Sequence, residues 1–166
     1  TSSRIVDNVA IYFFDTNSVA KYYATEKGSL WVRRIVEEEA NTKVITAITQ
    51  PELAAALSRM QRLGYFGKTH LHRSFTRFRS DVRRRLFVSH PLDEATLRFA
   101  SDLALKHPLR GYDAVQVATA LLAQQAMFGF PIIFVTSDKQ VLAVAKNEGL
   151  IIENPENHPD EPEQSQ

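Results

Sequence analysis

The sequence predicts an α/β fold: a central parallel β-sheet flanked by helices on both faces, an α/β/α sandwich, with one protruding helical hairpin. Three observations carry this. The runs Val9 to Phe14, Lys43 to Ile48 and Ile132 to Val135 are short and apolar, as strands buried on both faces are. Helical periodicities alternate with them, which implies strand–helix–strand units and parallel pairing. Finally, a carboxylate lies at the end of each run or a few residues beyond, where a helix begins: Asp15, Glu52 and Asp138.

The elements follow in order. After the first strand, Ser18 to Ala24 has the pattern of a short helix, and Leu30, Trp31, Arg34 and Ile35 mark a second that ends in the acidic run Glu37 to Glu39. Pro51 to Leu63 carries Leu53, Ala54, Leu57 and Met60 at helical spacing. Gly64 to Gly67 breaks that helix, and Thr69 to Arg84 resumes it with Leu71, Phe75 and Phe78 inward. Leu86 to Val88 is a brief strand closed by Pro91. Asp93 to Lys106 and Gly111 to Met127 are helices, the second with a stripe of Ala114, Val117, Ala118, Leu121 and Leu122. The strand Ile132 to Val135, the helix Asp138 to Asn147, a cap at Gly149 and the strand Leu150 to Ile152 complete one domain over residues 1–152. From Glu153 to the last residue, 166, the chain is acidic and Pro-rich, and is expected to be a disordered tail.

Composition narrows the function classes. With 166 residues, 44% of them hydrophobic, the chain can bury its own core. The absence of Cys excludes disulfide scaffolds, thiolate zinc sites and Cys nucleophiles. No run reaches the roughly 18 apolar residues of a membrane span, and the expectation is a soluble, cytoplasmic protein. The net charge of +1 conceals an asymmetry. Arg59, Arg62, Lys68, Arg73, Arg77, Arg79, Arg83, Arg84 and Arg85 face a single acid, Asp81, between residues 59 and 85. A solvated helix face usually interleaves both signs, whereas this imbalance suits contact with phosphates.

In an open parallel sheet, groups just beyond the strand C-termini collect along one edge. Asp15, Glu52 and Asp138, with Asp113 in the opening turn of its helix, would then share a small volume. Four crowded carboxylates repel one another unless a cation holds them, and an oxygen-only donor set selects a hard ion such as Mg²⁺ or Mn²⁺. Each acid also has a structural alternative. Helix N-termini favour acids without any function; Thr49-Gln50-Pro51-Glu52 has the form of a capping box, and so does Ser137-Asp138-Lys139-Gln140. Thr16, Asn17, Thr136 and Ser137 supply hydroxyl and amide groups that either orient the carboxylates or cap helices.

These residues resemble PIN domains, and among them the toxin ribonucleases of the VapBC toxin–antitoxin class. The resemblance runs from about Ile11 to Ile152. It rests on Phe14-Asp15-Thr16-Asn17, on Glu52 within Pro51-Glu52-Leu53-Ala54-Ala55-Ala56-Leu57, on the run Arg110 to Ala120 around Asp113, and on Phe134-Val135-Thr136-Ser137-Asp138. The resemblance implies that Asp15, Glu52, Asp113 and Asp138 are the catalytic residues and bind Mg²⁺ or Mn²⁺. It implies an endoribonuclease that leaves 5′-phosphate and 3′-hydroxyl ends, inhibits translation, forms a homodimer and is held by a cognate antitoxin. Arg59, Arg62, Lys68, Arg73, Arg77, Arg83, Arg84 and Arg85 would then grip the RNA backbone.

Other motifs lead elsewhere or nowhere. Gly64-Tyr65-Phe66-Gly67-Lys68-Thr69 ends like a phosphate-binding loop, but two residues separate its glycines where four are needed. His70 and His72 are two apart on a helix and point in different directions. A haloacid-dehalogenase-like phosphohydrolase also ends its first strand in Asp, but its second Asp is Asn17 here. A non-catalytic RNA-binding module, with the acids serving only as caps, is the alternative from a different class.

Overall fold

A computed structural model describes residues 9–158. Five parallel strands form one sheet: β1 (Ile11–Phe14), β2 (Thr42–Thr46), β3 (Val88–His90), β4 (Ile132–Val135) and β5 (Ile151–Glu153), in the order β3-β2-β1-β4-β5. The helices are α1 (Thr16–Tyr23), α2 (Ser29–Glu37), α3 (Thr49–Arg62), α4 (Lys68–Arg83), α5 (Glu94–Lys106), α6 (Gly111–Ala126) and α7 (Lys139–Asn147). None among the described residues is long and apolar enough to cross a membrane.

Alternation along β1 divides the core into two layers. Phe13 points to the face covered by α5, α6 and α7, where it stacks on Phe134 of β4 with ring centroids 5.5 Å apart. Phe14 points to the opposite face, among residues of α1, α2, α3 and α4. Each layer is a continuous apolar cluster, so the sheet is buried on both sides, as its unbroken apolar strands require. Helix α6 is buried along most of its length because Ala114, Ala118, Ala120 and Ala123 let it lie close against β-sheet and α5.

Several boundaries move. The third strand is Val88–His90 rather than Leu86 to Val88, and Phe87, fully buried, plugs the α1–α4 layer just before it. Helix α3 opens at Thr49 and the second strand ends at Thr46. The Gly64–Gly67 segment is a helix–helix turn, as expected.

The expectation of disorder from Glu153 onward is corrected for its first residues. Glu153 belongs to β5, and Pro155–Asn157 form a single 3-10 turn packed on α2. His158 stacks flat on Trp31, with centroids 4.6 Å apart, and its ring pairs with Glu153 at 2.8 Å. Gly28 makes this docking possible. It holds φ +86°, and a Cβ there would stand 2.6 Å from the Pro155 carbonyl oxygen. Residues 159–166, the rest of the expected tail, lie outside the described residues.

Candidate active site

Parallel pairing of the two central strands sets Phe14 beside Val135, so the next residues, Asp15 and Thr136, meet at the sheet edge. The Asp15 N–H donates to the Val135 carbonyl at 3.0 Å. Its side chain then turns to cap α1, accepting from the Thr16 N–H at 2.7 Å, from the Thr136 hydroxyl at 2.8 Å and from the Asn17 amide at 3.3 Å. Asn17 ties the two loops together: its Nδ2 donates to Thr136 Oγ1 at 2.9 Å, and its Oδ1 accepts from the Ser137 N–H at 3.1 Å. Asn17 and Thr136 through their side chains, and Thr16 through its backbone N–H, therefore brace the buried carboxylate. Ser137 instead contributes its backbone, and its buried Oγ has no partner among the described residues.

Glu52 is not the second half of a capping box. Its Oε1 accepts from the Thr16 hydroxyl at 3.0 Å and from Gln116 Nε2 at 2.9 Å, while Thr49 makes no side-chain cap and leaves its buried hydroxyl unpartnered. Tertiary partners have outcompeted the local cap. Gln116, fully buried on α6, also donates to Thr16 Oγ1 at 3.0 Å. It links α1, α3 and α6 at one point, and sequence reasoning missed it. The available signal was a long amide inside an otherwise small and apolar helix stripe.

Asp113 lies three residues before Gln116, hence on the same face of α6. Asp138 is itself the N-cap of α7, its Oδ1 accepting from the backbone N–H groups of Gln140 (2.9 Å) and Val141 (3.2 Å). Ser137 does not fill that position.

Asp15 and Asp113 feel the neighbouring acids. Burial pushes the Asp15 carboxyl up to about 7; the Thr136 and Thr16 hydrogen bonds oppose the rise, and the charges of Asp113 and Glu52 add to it. Asp113 is also raised, first by burial, then by Asp138 and Glu52, against a lowering pull from Arg110. Carboxylates from β1, α3, α6 and α7 thus lie in one field. Among the described residues, no group of three or more His, Cys, Asp or Glu is closed around a metal-sized space. Glu52 Oε1 is engaged by Thr16 and Gln116, and Asp138 Oδ1 by its own helix. The donor chemistry nevertheless suits a hard cation: all oxygen, mutually repelling, with one member driven towards protonation.

A cleft of about 520 Å³ opens beside Asp138, lined also by Asn17, Lys21, Arg59, Tyr65 and Glu156. Lys21 is 4% exposed and pairs with Glu156 at 3.3 Å and with Glu26 at 4.0 Å. Sequence reasoning passed over it.

The basic segment divides. Arg59 borders the cleft; Arg62 is exposed and donates to Ser58 at 2.7 Å; Lys68, Arg73, Arg83 and Arg85 are exposed on the hairpin. Arg77 and Arg84 have another task. Asp81, 1% exposed, receives Arg84 at 2.6 Å, Arg77 at 3.8 Å and the Tyr23 hydroxyl at 2.7 Å. Arg77 further donates to the Tyr22 hydroxyl at 3.0 Å and sits over its ring. Both arginines offset the charge of a buried acid, and Arg77 also ties α4 to α1, while their side chains stay more than half exposed and face solvent with the rest of the basic set. Phe78 is core and Phe75 packs against it, while Tyr65 is 68% exposed.

Comparison with known proteins agrees with this architecture. Among solved structures, PAE2754 from Pyrobaculum aerophilum superposes with a TM-score of 0.62 at 20% identity, covering 90% of this chain and 86% of that one. A toxin–antitoxin complex from Klebsiella pneumoniae gives 0.60 at 16% identity, covering 87% and 97%. VapBC2 from Rickettsia felis, bound to a promoter DNA fragment, gives 0.58 at 14% identity, covering 87% and 98%. At these identities the likeness is one of fold. No curated protein matches by sequence. Residues 12–147, most of the sequence and all four acids, match the PIN domain, and the chain belongs to that family.

Proposed function

We propose that this protein is a Mg²⁺- or Mn²⁺-dependent endoribonuclease, the toxin of a toxin–antitoxin pair that inhibits translation. The observation that carries the reading is the meeting of carboxylates distant in sequence: burial raises the Asp15 carboxyl to about 7 and the charges of Asp113 and Glu52 add to it, as in a site completed by a cation. Asp15, Glu52, Asp113 and Asp138 would hold the ion. When bound, it supplies Lewis-acid polarisation of the phosphodiester and cancels the carboxylates' repulsion.

The chain's own residues do the rest. Thr16, Thr136 and Asn17 fix the Asp15 carboxylate in one orientation, and Gln116 holds Glu52 towards α1. Asp113 lies on the α6 face that carries Gln116, half-buried and only partly offset by Arg110. Arg59, with the exposed Arg62, Lys68, Arg73, Arg83 and Arg85, supplies positive charge along which an RNA backbone lies. Hydrolysis then gives 5′-phosphate and 3′-hydroxyl ends. A cognate antitoxin belongs to the same reading, supported by structural neighbours solved as toxin–antitoxin complexes, and a homodimeric assembly is part of the proposal.

The test is Asp113→Asn. Cleavage of single-stranded RNA with Mg²⁺ or Mn²⁺ should fall at least about a hundredfold, within the range for removing a group aligned with the reaction, while RNA affinity stays near wild type. Binding by both proteins without cutting by either would establish the non-catalytic module instead.

A further inference from the structure

We propose that the cleft beside Asp138 is a subsite for one unpaired guanine base of single-stranded RNA. This rests on the ribonuclease reading and names a determinant of its substrate choice. The cleft borders the acids, since Asn17, Ser137 and Asp138 form part of its wall. A base seated there belongs to a nucleotide next to the scissile phosphate.

The two sides of the cleft are chemically different. On one stands Tyr65, 68% exposed at the α3–α4 turn, with Met60 and Arg59 beside it. No other described ring stacks on Tyr65. An exposed aromatic ring and a guanidinium lining one cleft can take a base and an adjoining phosphate. On the other lie Lys21 and Glu156, an ammonium and a carboxylate 3.3 Å apart. A donor next to an acceptor pair complements guanine, whose O6 accepts beside the N1–H and N2–H₂ donors. Adenine, cytosine and uracil can each give the carboxylate one donor and the ammonium one acceptor, but only guanine gives the carboxylate two adjacent donors beside that acceptor.

The site is built rather than incidental. Glu156 belongs to the 3-10 turn fixed by the Gly28–Pro155 approach and the Trp31–His158 stack, so its carboxylate is not on a loose tail. Lys21 is buried and cannot swing away.

Two measurements test the subsite separately from the enzyme. First, randomised single-stranded RNA is cut by the full chain with Mn²⁺ and the product ends are sequenced. Guanosine should be enriched at one fixed position near the cut by at least about fivefold, the discrimination of a bidentate contact, and Glu156→Gln should erase most of that enrichment. Second, the metal-free protein is titrated with the four nucleoside 5′-monophosphates. GMP should bind tightest, with selectivity lost in Glu156→Gln and overall affinity lowered in Tyr65→Leu, a surface change that spares the fold.

Cleavage with no base preference, or a preference unchanged by Glu156→Gln, overturns the subsite and leaves the nuclease standing. Selective GMP binding in a protein that cuts no RNA supports the subsite and removes the nuclease.

Discussion

Replacing Asp15 with Asn separates electrostatics from hydrogen bonding at the centre of the site. The folded carboxyl is raised from 3.8 to about 7, which corresponds to about 4 kcal/mol of stability. Because the folded value lies above the unfolded one, folding is helped by protonation. That contribution is complete below pH 3.8 and is lost as the pH rises through about 7. Asn cannot ionise, but its Nδ2 would face the Asn17 amide, so the variant carries a cost that does not vary with pH. In urea denaturation with a chelator, the wild-type advantage over Asp15→Asn should therefore shrink by up to about 4 kcal/mol between about pH 4 and about pH 8. At the alkaline end the variant should equal or exceed the wild type. Saturating Mn²⁺ should restore the wild type alone, by about 2.7 kcal/mol at a hundredfold excess over Kd. A difference between the two proteins that stays constant with pH would refute the claim that neighbouring charge and burial hold Asp15 near neutrality. Mn²⁺ stabilising neither would remove the cation.

Gly28→Ala should lower the melting temperature, at a cost of at least about 1 kcal/mol from the left-handed backbone, and shift the emission of Trp31, the only tryptophan, as the 3-10 turn is pushed away. Tyr23→Phe removes a donor from the buried Asp81 and should cost about 1–3 kcal/mol in thermal or urea unfolding, with the RNA salt dependence unchanged. Replacing Arg73, Arg83 and Arg85 together with Ala should reduce the slope of log affinity against log salt by roughly 2, about 0.7 for each lost phosphate contact, while leaving the melting temperature almost unaltered. The opposite pattern, a lower melting temperature with an unchanged slope, would assign those side chains to the fold.

The layers of the fold were legible because strand burial leaves a continuous apolar mark, and Val44, Phe13 and Phe134 carry it. The approach of Asp15, Glu52 and Asp138 to one edge was legible because parallel topology sends strand ends there; Asp113 opens α6, which follows α5 and not a strand. What escaped was decided by partners distant in sequence. Nothing local to Thr49-Gln50-Pro51-Glu52 reveals that Gln116, 64 residues on, holds the Glu52 carboxylate. Asp81 looked like a lone acid in a basic helix, and only packing against Tyr23 explains why it draws in Arg77 and Arg84. The Pro-rich segment after Glu153 has the composition of a loose tail. A glycine at position 28 and a ring at position 31, far upstream, are what give its beginning a seat.

The strand order has a consequence for how the protein comes into being. The first described strand, β1, is the middle of the sheet, and one of its flanks is β4, the fourth in chain order. Asp15 is translated more than a hundred residues before its hydroxyl brace, Thr136, and the acid Asp138. A nascent chain therefore lacks an assembled centre until β4 and the turn after it have been translated.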